Sequence, residues 1–377
     1  MKKIIIIGGG IGGVAMALAL SCINELELIV YERTKELREV GAGIALWANA
    51  THVLQNLGLL EEVKQFGYLI TNYQFNSQWG KELVNIALDN LELPTIGIHR
   101  GKLHQLLWSK MPSEKFILGE TFERFEQEND QIRAYFASGL KIEGNAIIGA
   151  DGLRSQVRAA ILGDGPPIYR NFKTWRGLTD YIPATYRPGY IQEFLGGGKA
   201  FGFMMLGGGK MYWYAAAIAR EGQPDAVYGR KKELETMYQD WFPTIGELIS
   251  ATYEADILST DLYDRPPTQP WSRQNVTLIG DAAHPMLPTM GQGACTALED
   301  AYVMAQCLKE QYDFRVAFQD YELLRFPRIK AIVEQSLRSS KMGELRNPFL
   351  VKIRNIFMKV MASNISNNFQ SFQTYRA

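Results

Sequence analysis

Lys3-Ile4-Ile5-Ile6-Ile7-Gly8-Gly9-Gly10-Ile11-Gly12-Gly13 lies at the start of the chain, and its reading decides the fold. The β-branched run Lys3–Ile7 has the unbroken apolar pattern of a parallel strand covered on both faces. Gly8, Gly10 and Gly13 then satisfy G-x-G-x-x-G, and the Ala/Leu-rich stretch Val14–Leu20 reads as a helix. Gly8 permits a tight turn, Gly10 lets a pyrophosphate approach backbone N–H groups, and Gly13 lets the helix pack close to the strand. A glycine pattern alone is weak evidence, but the expected context follows it. A second strand, Glu27–Tyr31, ends in Glu32, about twenty residues further on, where a carboxylate meets the ribose hydroxyls of an adenosine. The chain is therefore α/β and opens on a Rossmann-like dinucleotide site.

Two later segments narrow the ligand. Ala146-Ile147-Ile148-Gly149-Ala150-Asp151-Gly152 is an apolar strand ending in Asp-Gly, followed by Arg154, Ser155 and Arg158. Val276-Thr277-Leu278-Ile279-Gly280-Asp281 is another, ending in Gly-Asp. It continues through His284, Pro285, Pro288 and Gly291-Gln292-Gly293 into a helix over Ala297–Lys309. An Asp at the C-terminal end of such a strand stands where open α/β sheets bind ligands, and it can accept hydrogen bonds from a polyol chain. Gly291 and Gly293 would expose backbone N–H groups at a helix N-terminus, suited to a partly anionic ring edge. The plain alternative is an Asp that merely caps the helix.

With these three fingerprints in order, the chain resembles the class A flavoprotein monooxygenases, the fold group of p-hydroxybenzoate hydroxylase. Gly41-Ala42-Gly43-Ile44, Asn49, Leu57-Gly58-Leu59, His99-Arg100 and the Gly-Gln-Gly loop are similar to the branch with zeaxanthin epoxidase-, salicylate-, 3-hydroxybenzoate- and urate hydroxylase-like members. The resemblance implies an FAD-binding domain of GR2 type over 1–70, 99–165 and 272–340. It implies a mixed-sheet substrate domain over 71–98 and 166–271, and a C-terminal helix over 341–377. In that frame Glu32 binds the adenosine ribose, Arg33 lies against the adenine, and Arg100 reaches the phosphate or ribityl region. Asp281 binds the ribityl chain, Gly43, Pro288, Gly291, Gln292 and Gly293 line the flavin, and Asp151 and Gly152 serve FAD and a transient nicotinamide. The implied activity is oxygenation: NADH or NADPH reduces FAD, O₂ forms a C4a-hydroperoxide, and a small aromatic, heteroaromatic or polyene substrate is hydroxylated or epoxidised. The absence of a second G-x-G-x-x-G fits a nicotinamide without its own domain. The rival readings are a flavin oxidoreductase without oxygen insertion and a non-catalytic flavin-binding protein.

The middle of the chain should carry the substrate. Tyr190–Leu195, Ala200–Leu206 and Met211–Ala217 read as an antiparallel meander joined by two Gly-Gly-Gly-Lys turns. Neither turn is a phosphate loop, because no Ser or Thr follows the Lys. By period two, Phe201, Phe203 and Met205 share a face, as do Tyr212, Tyr214 and Ala216. Phe201, Phe203, Met205, Tyr214 and Pro288 are taken as substrate-pocket residues, with burial in an ordinary core as the bland reading. Lys199 and Tyr212 are the substrate-side candidates for catalysis. Urate hydroxylase-like members carry an arginine near Lys199, and the bland reading here is a solvated turn lysine. Tyr212 falls near a substrate-side tyrosine and could help ionise a phenol.

Bulk properties bound the remainder. At 377 residues, 46% hydrophobic and 21% charged, the chain has material for two connected domains. Forty basic and forty acidic residues balance, which speaks against nucleic acid as a partner. Cys22, Cys295 and Cys307 are far apart, so a disulfide framework is not expected and a reducing cytoplasm is. The four histidines form no ligand cluster, and no metal site is expected. The Lys2-Lys3 start precedes too short an apolar run for a signal or membrane span. From Glu344 the tail is amphipathic: Phe349, Leu350, Ile353, Ile356, Phe357, Val360 and Met361 recur at helical spacing between Lys352, Arg354 and Lys359. Packing on the body competes there with weak contact to a membrane surface. A monomer or homodimer is equally compatible with the sequence.

Overall fold

The computed structural model describes residues 1–36 and 42–377. Gly41 of the Gly41-Ala42-Gly43-Ile44 stretch lies outside the described residues.

The isoleucine run forms the strand Lys2–Ile7 at the centre of a five-stranded parallel sheet. Its neighbours are Leu26–Glu32 on one side and Ala146–Gly149 on the other, with Val276–Leu278 and Phe116–Leu118 at the edges. Ile4, Ile5 and Ile6 are completely buried, as a strand covered on both faces requires. The register sets Ile7 beside Gly149 and Tyr31, so the Gly8 turn and the Asp-Gly turn emerge together. Ile279 N–H donates to the Gly149 carbonyl and brings the Gly-Asp turn to the same sheet end. Ligands bind at this end of open parallel sheets.

Helix Ile11–Leu20 packs over the sheet and against the long helix Gly293–Glu310. Close approach is possible because Gly12 faces Ala297 and Gly280 faces the same alanine. A three-stranded antiparallel ribbon, Phe122–Glu128, Gln131–Phe136 and Lys141–Gly144, leads into the parallel strand Ala146–Gly149. A smaller sheet of Gly43–Leu46, Thr95–His99 and Tyr68–Ile70 sits beside the cofactor end.

The second large layer is a seven-stranded sheet. Its order is Leu258–Asp264, Ile168–Thr179, Met211–Ile218, Lys199–Met205, Tyr190–Leu195, Asn72–Ser77 and Glu82–Ala87. The meander occupies its centre, and only the pairing of Tyr190–Leu195 with Asn72–Ser77 is parallel. Antiparallel register sets Phe201 opposite Ala215 and Phe203 opposite Trp213, while Gly202 faces Tyr214 and Met204 faces Tyr212. Directly paired residues point to the same side. Phe201, Phe203 and Met205 therefore share a face with Trp213, away from Tyr212 and Tyr214.

That rear face is closed by helices Arg230–Met237 and Pro243–Ser250, whose Leu234, Ile245, Leu248 and Ile249 complete an apolar cluster. Phe201 stacks on Trp213 at 5.4 Å and meets Tyr238 edge-on at 5.5 Å. The tail is two helices rather than one, Pro348–Val360 and Ala362–Ser371, after the long helix Phe314–Gly343.

Candidate cofactor and substrate site

The glycines of the first motif do different physical work. Gly8 has φ +108°, and a Cβ there would lie 2.3 Å from the Ala150 carbonyl oxygen. A Cβ at Gly13 would stand 1.9 Å from the Gly8 oxygen. Both positions exclude a side chain because protein fills the space. At Gly10 nothing lies within 4 Å. Helix Ile11–Leu20 starts there with no side-chain cap, so its first N–H groups face open space, a cradle fit for a pyrophosphate. Glu32 stands beside this cradle and accepts from Gly9 N–H at 2.7 Å and Thr34 N–H at 2.9 Å. Arg33 is exposed next to it. His104 buttresses the turn from behind, its Nε2 2.6 Å from the Gly9 carbonyl, with burial lowering its pKa.

Asp151 has a structural task. Its Oδ1 accepts from the Ser155 hydroxyl at 2.5 Å, and its Oδ2 from Gln156 and Val157 N–H at 2.7 and 3.2 Å. Both oxygens are thus committed to the start of helix Gln156–Leu162. Gly152, at φ +79° with open space around it, makes the turn. Arg158, from the same helix, is buried and ties the two later motifs together. Its Nη1 donates to the Ala282 and Ala283 carbonyls at 3.1 and 2.6 Å, while Nε and Nη2 grip Asp164.

Asp281 sits in the Gly280–Ala282 turn where solvent reaches it, although the surrounding protein raises its carboxyl pKa against the pull of His284 and Arg100. Arg100 opens helix Arg100–Ser109, and its N–H donates to the Ala42 carbonyl beside Gly43. Behind Asp281 lies a buried charge network that the sequence reading missed. Asp300 accepts from Gly280 N–H at 2.9 Å, His284 Nε2 at 2.6 Å and Arg325 Nε at 2.8 Å. Burial opposes ionisation of Asp300, but His284 and Arg325 outweigh it and hold the carboxyl far below its ordinary range. Arg325 also pairs with Glu299 at 2.6 Å, and Glu299 binds Arg328 and the Asn49 amide. The available signal was Glu299-Asp300 itself, two adjacent acids between the apolar stretches Ala297-Leu298 and Ala301–Ala305.

Pro288 is exposed at the start of the short turn Pro288–Met290, and Gly291 follows at φ +61°. Gln292 is buried, where its Oε1 accepts from the Asn49 amide at 2.9 Å. Helix Gly293–Glu310 begins at Gly293 without a side-chain cap. Two uncapped helix starts therefore stand by the same end of the parallel sheet, with Asp281 beside the second of them. This fits a ligand carrying a pyrophosphate, a polyol and a partly anionic ring edge.

A ring of side chains leads from that loop to the seven-stranded sheet. Trp47 Nε1 donates to the Gly291 carbonyl at 3.0 Å, and its indole stacks on Tyr73 at 5.8 Å. Tyr73 donates its hydroxyl to Glu193, and Tyr214 donates to the same Oε2 at 2.7 Å. Tyr214 reaches Glu193 by lying across Gly202, where a Cβ would fall 2.3 Å from its ring. Tyr212 follows at 6.2 Å from Tyr214, and Gly43 ends the series, its missing Cβ leaving room for the Tyr212 ring. Burial pushes Tyr212 up to about 12 and Tyr73 and Tyr214 well above the usual range, so all three hydroxyls stay protonated as donors. Burial also raises the Glu193 carboxyl, against both tyrosine hydrogen bonds. Trp47 and Glu193 were missed in the sequence, although a lone acid in Tyr190–Leu195 was a visible anomaly.

Several expectations need correction. Phe201, Phe203 and Met205 line the rear core and not this ring, because their strand face is covered by the 230–250 helices. Lys199 points the same way. Its Nζ donates to the Met237 carbonyl at 2.6 Å over Tyr238 and Trp241, so it is a half-buried lysine held on the rear side, away from the ring. Tyr212, Tyr214 and Gly43 come together with the Gly291–Gly293 loop.

Comparison with known proteins agrees with this geometry. Residues 1–336 match the family described as FAD binding domain. Aurachin C monooxygenase/isomerase of Stigmatella aurantiaca is 35% identical over 368 residues, spanning 96% of this chain and 94% of the relative. Zeaxanthin epoxidase of Solanum lycopersicum is 33% identical over 319 residues, 80% of this chain but 47% of that longer protein. Klebsiella pneumoniae HpxO, solved with FAD and uric acid, superposes with a TM-score of 0.92 over 98% of this chain and 96% of its own. At 24% identity that last likeness is one of fold. With a family match over residues 1–336 and the glycine turns and helix starts gathered at one sheet end, the chain belongs to the FAD binding domain family.

Proposed function

We propose that the chain is an FAD-dependent monooxygenase that uses NADH or NADPH and O₂ to oxygenate a small aromatic, heteroaromatic or polyene substrate. The observation that carries this reading is the ring from Gly291 through Trp47, Tyr73, Glu193, Tyr214 and Tyr212 to Gly43. A cofactor held only for structure needs no connected series of polar and aromatic side chains beside its ring-binding loop. The named relatives, a monooxygenase/isomerase and an epoxidase, agree with oxygen insertion.

In this reading residues 1–70, 99–165 and 272–340 hold FAD, and 71–98 with 166–271 roof the substrate. The Gly10 cradle takes the pyrophosphate, Glu32 the adenosine ribose, Asp281 the ribityl hydroxyls, and the Gly291–Gly293 backbone the ring edge. Bound FAD supplies hydride acceptance and oxygen activation. The protein orients the substrate and excludes water. Trp47 and Tyr73 offer flat apolar faces to a planar substrate, while Tyr212 and Tyr214 offer hydroxyl donors. Glu193 is the acceptor in the ring, and it takes a hydrogen bond or proton from an O–H or N–H on the substrate. Lys199 has no role in this scheme.

The test is to follow NADH and NADPH oxidation by the flavin-loaded protein with phenols, purines, quinolones and carotenoids, recording product mass and H₂O₂ together. A compound that accelerates nicotinamide oxidation and gains one oxygen atom supports the proposal. A chain that never retains FAD, or one that reduces a substrate without adding oxygen, refutes it.

A further inference from the structure

Helix Pro348–Val360 turns its apolar side outward. Phe349 and Val360 are 68% and 76% exposed, and Leu350, Ile353, Ile356 and Phe357 lie between 44% and 54%. These six fall at i, i+1, i+4, i+7, i+8 and i+11, one continuous stripe of an α-helix. The opposite side buries only Val351, Arg354 and Met358. Arg354 anchors that side, its Nη1 donating to the Gly196 carbonyl at 3.1 Å. Asn347 caps the helix through Phe349 and Leu350 N–H, so the stripe belongs to a built element and not a fraying end. An exposed apolar patch of this extent marks an interaction surface.

Charge identifies the occupant. From Asn347 to Ala377 there is no Asp or Glu, while Lys352, Arg354, Lys359 and Arg376 are present, in a chain whose 40 basic and 40 acidic residues balance overall. Lys352 and Lys359 are exposed and two helical turns apart, along one edge of the stripe. Their stems can lie on apolar surface with the ammonium groups reaching out to phosphate. Exposed Trp79 stands in the adjoining turn, since Gln78 lies against the same Gly196 that Arg354 holds. Tryptophan favours the headgroup level of a bilayer. A second copy fits poorly, because an isologous pairing would bring two acid-free segments together without counter-charge.

We propose that Pro348–Val360 is an interfacial helix that seats this protein on an anionic phospholipid surface. It lies in the plane of that surface; among the described residues no helix is long and apolar enough to cross a membrane. The chain passes through Met361 into Ala362–Ser371, whose Phe369 meets Trp47 at 5.1 Å and Tyr73 at 5.3 Å. The lipid-facing element and the element that covers the aromatic ring are therefore consecutive in the chain. The surface assignment stands on exposure and charge and does not rest on the monooxygenase reading.

The experiment is flotation of the flavin-loaded full chain with phosphatidylcholine vesicles, with and without phosphatidylglycerol. Co-flotation with the anionic vesicles is expected, falling roughly tenfold without the anionic lipid or at about 0.5 M salt. The Ile353→Asn/Phe357→Asn variant should lose roughly tenfold or more of its partitioning, with bound flavin and melting temperature unchanged as evidence of intact folding. Lys352→Glu/Lys359→Glu should lose the preference for anionic lipid. Absence of flotation, or equal flotation of the Asn variant, overturns the proposal. So does light scattering that finds a dimer which the Asn variant dissociates, since the face then belongs to a second copy.

Discussion

Alanine at Gly10 and alanine at Gly13 should have opposite consequences, although the two positions share one motif. At Gly13 the new Cβ would stand 1.9 Å from the Gly8 oxygen and 3.2 Å from the Ala150 Cβ. Helix Ile11–Leu20 would have to retreat by about 1.1 Å or more to restore even a 3.0 Å contact, against a sheet whose side chains are already buried. Overpacking of this kind costs about 3 kcal/mol, or roughly 4 °C in melting temperature for a chain of this size. At Gly10 the backbone is extended (φ −72°, ψ −177°) and the space is open, so alanine fits the flavin-free protein. Its stability should change by no more than about 1 kcal/mol. The methyl group would instead occupy the ligand's space and weaken FAD binding roughly tenfold to a hundredfold, ~1.4–2.8 kcal/mol. Thermal melts of flavin-stripped protein and titration of FAD fluorescence separate the two effects. If Gly10→Ala bound FAD as tightly as the parent, the cradle would lie elsewhere. Equal destabilisation of both flavin-free variants would refute the division between packing and ligand glycines.

Arg325→Met should cost about 3–5 kcal/mol, since it leaves Asp300 and Glu299 buried without their shared guanidinium; a melt within 1 °C of the parent would contradict this. Asp300 is held below its ordinary 3.8, so its stabilisation is present above that value and is lost as pH falls below it toward the folded pKa. Acid melts should show this loss in the parent and a flatter profile in Asp300→Asn. Burial raises Glu193 above its ordinary 4.5, so substrate-stimulated turnover should rise with pH through an apparent pKa above that value. Glu193→Gln should flatten this limb and still bind FAD, and an unchanged limb would remove Glu193 from the substrate scheme. Phe369→Ala uncovers Trp47 and Tyr73, and a larger share of nicotinamide oxidation should then end as H₂O₂. Product coupling equal to the parent would show that Phe369 covers nothing catalytic.

Local pattern carried far in this chain. The isoleucine run, the glycine turn, the strands ending in Asp-Gly and Gly-Asp, and the three meander strands appear within a few residues of where their periodicities set them. Such signals are short-range: β-branched runs, glycine spacing and alternation act within one element. Glu299-Asp300 and Glu193 were visible as acids in apolar surroundings, but their partners come from distant segments. Arg325 lies on the next helix, 25 residues after Asp300, and Tyr73 precedes Glu193 by 120 residues.

What the amino-acid sequence determined by itself was the α/β class, the order of its strands and turns, and the two faces of each meander strand. Alternation sorts a strand's residues into two sets without saying which set meets the cofactor. Only the tertiary structure made that choice, through antiparallel register and the helices over 230–250. Those helices covered Phe201, Phe203, Met205 and Lys199 and left Tyr212, Tyr214 and Glu193 toward the Gly291 loop. The tail followed the same logic. Its helical period was legible, but the exposure of its apolar stripe was set by which side Arg354 could anchor. A period is a property of one element, whereas burial is a property of what packs against it.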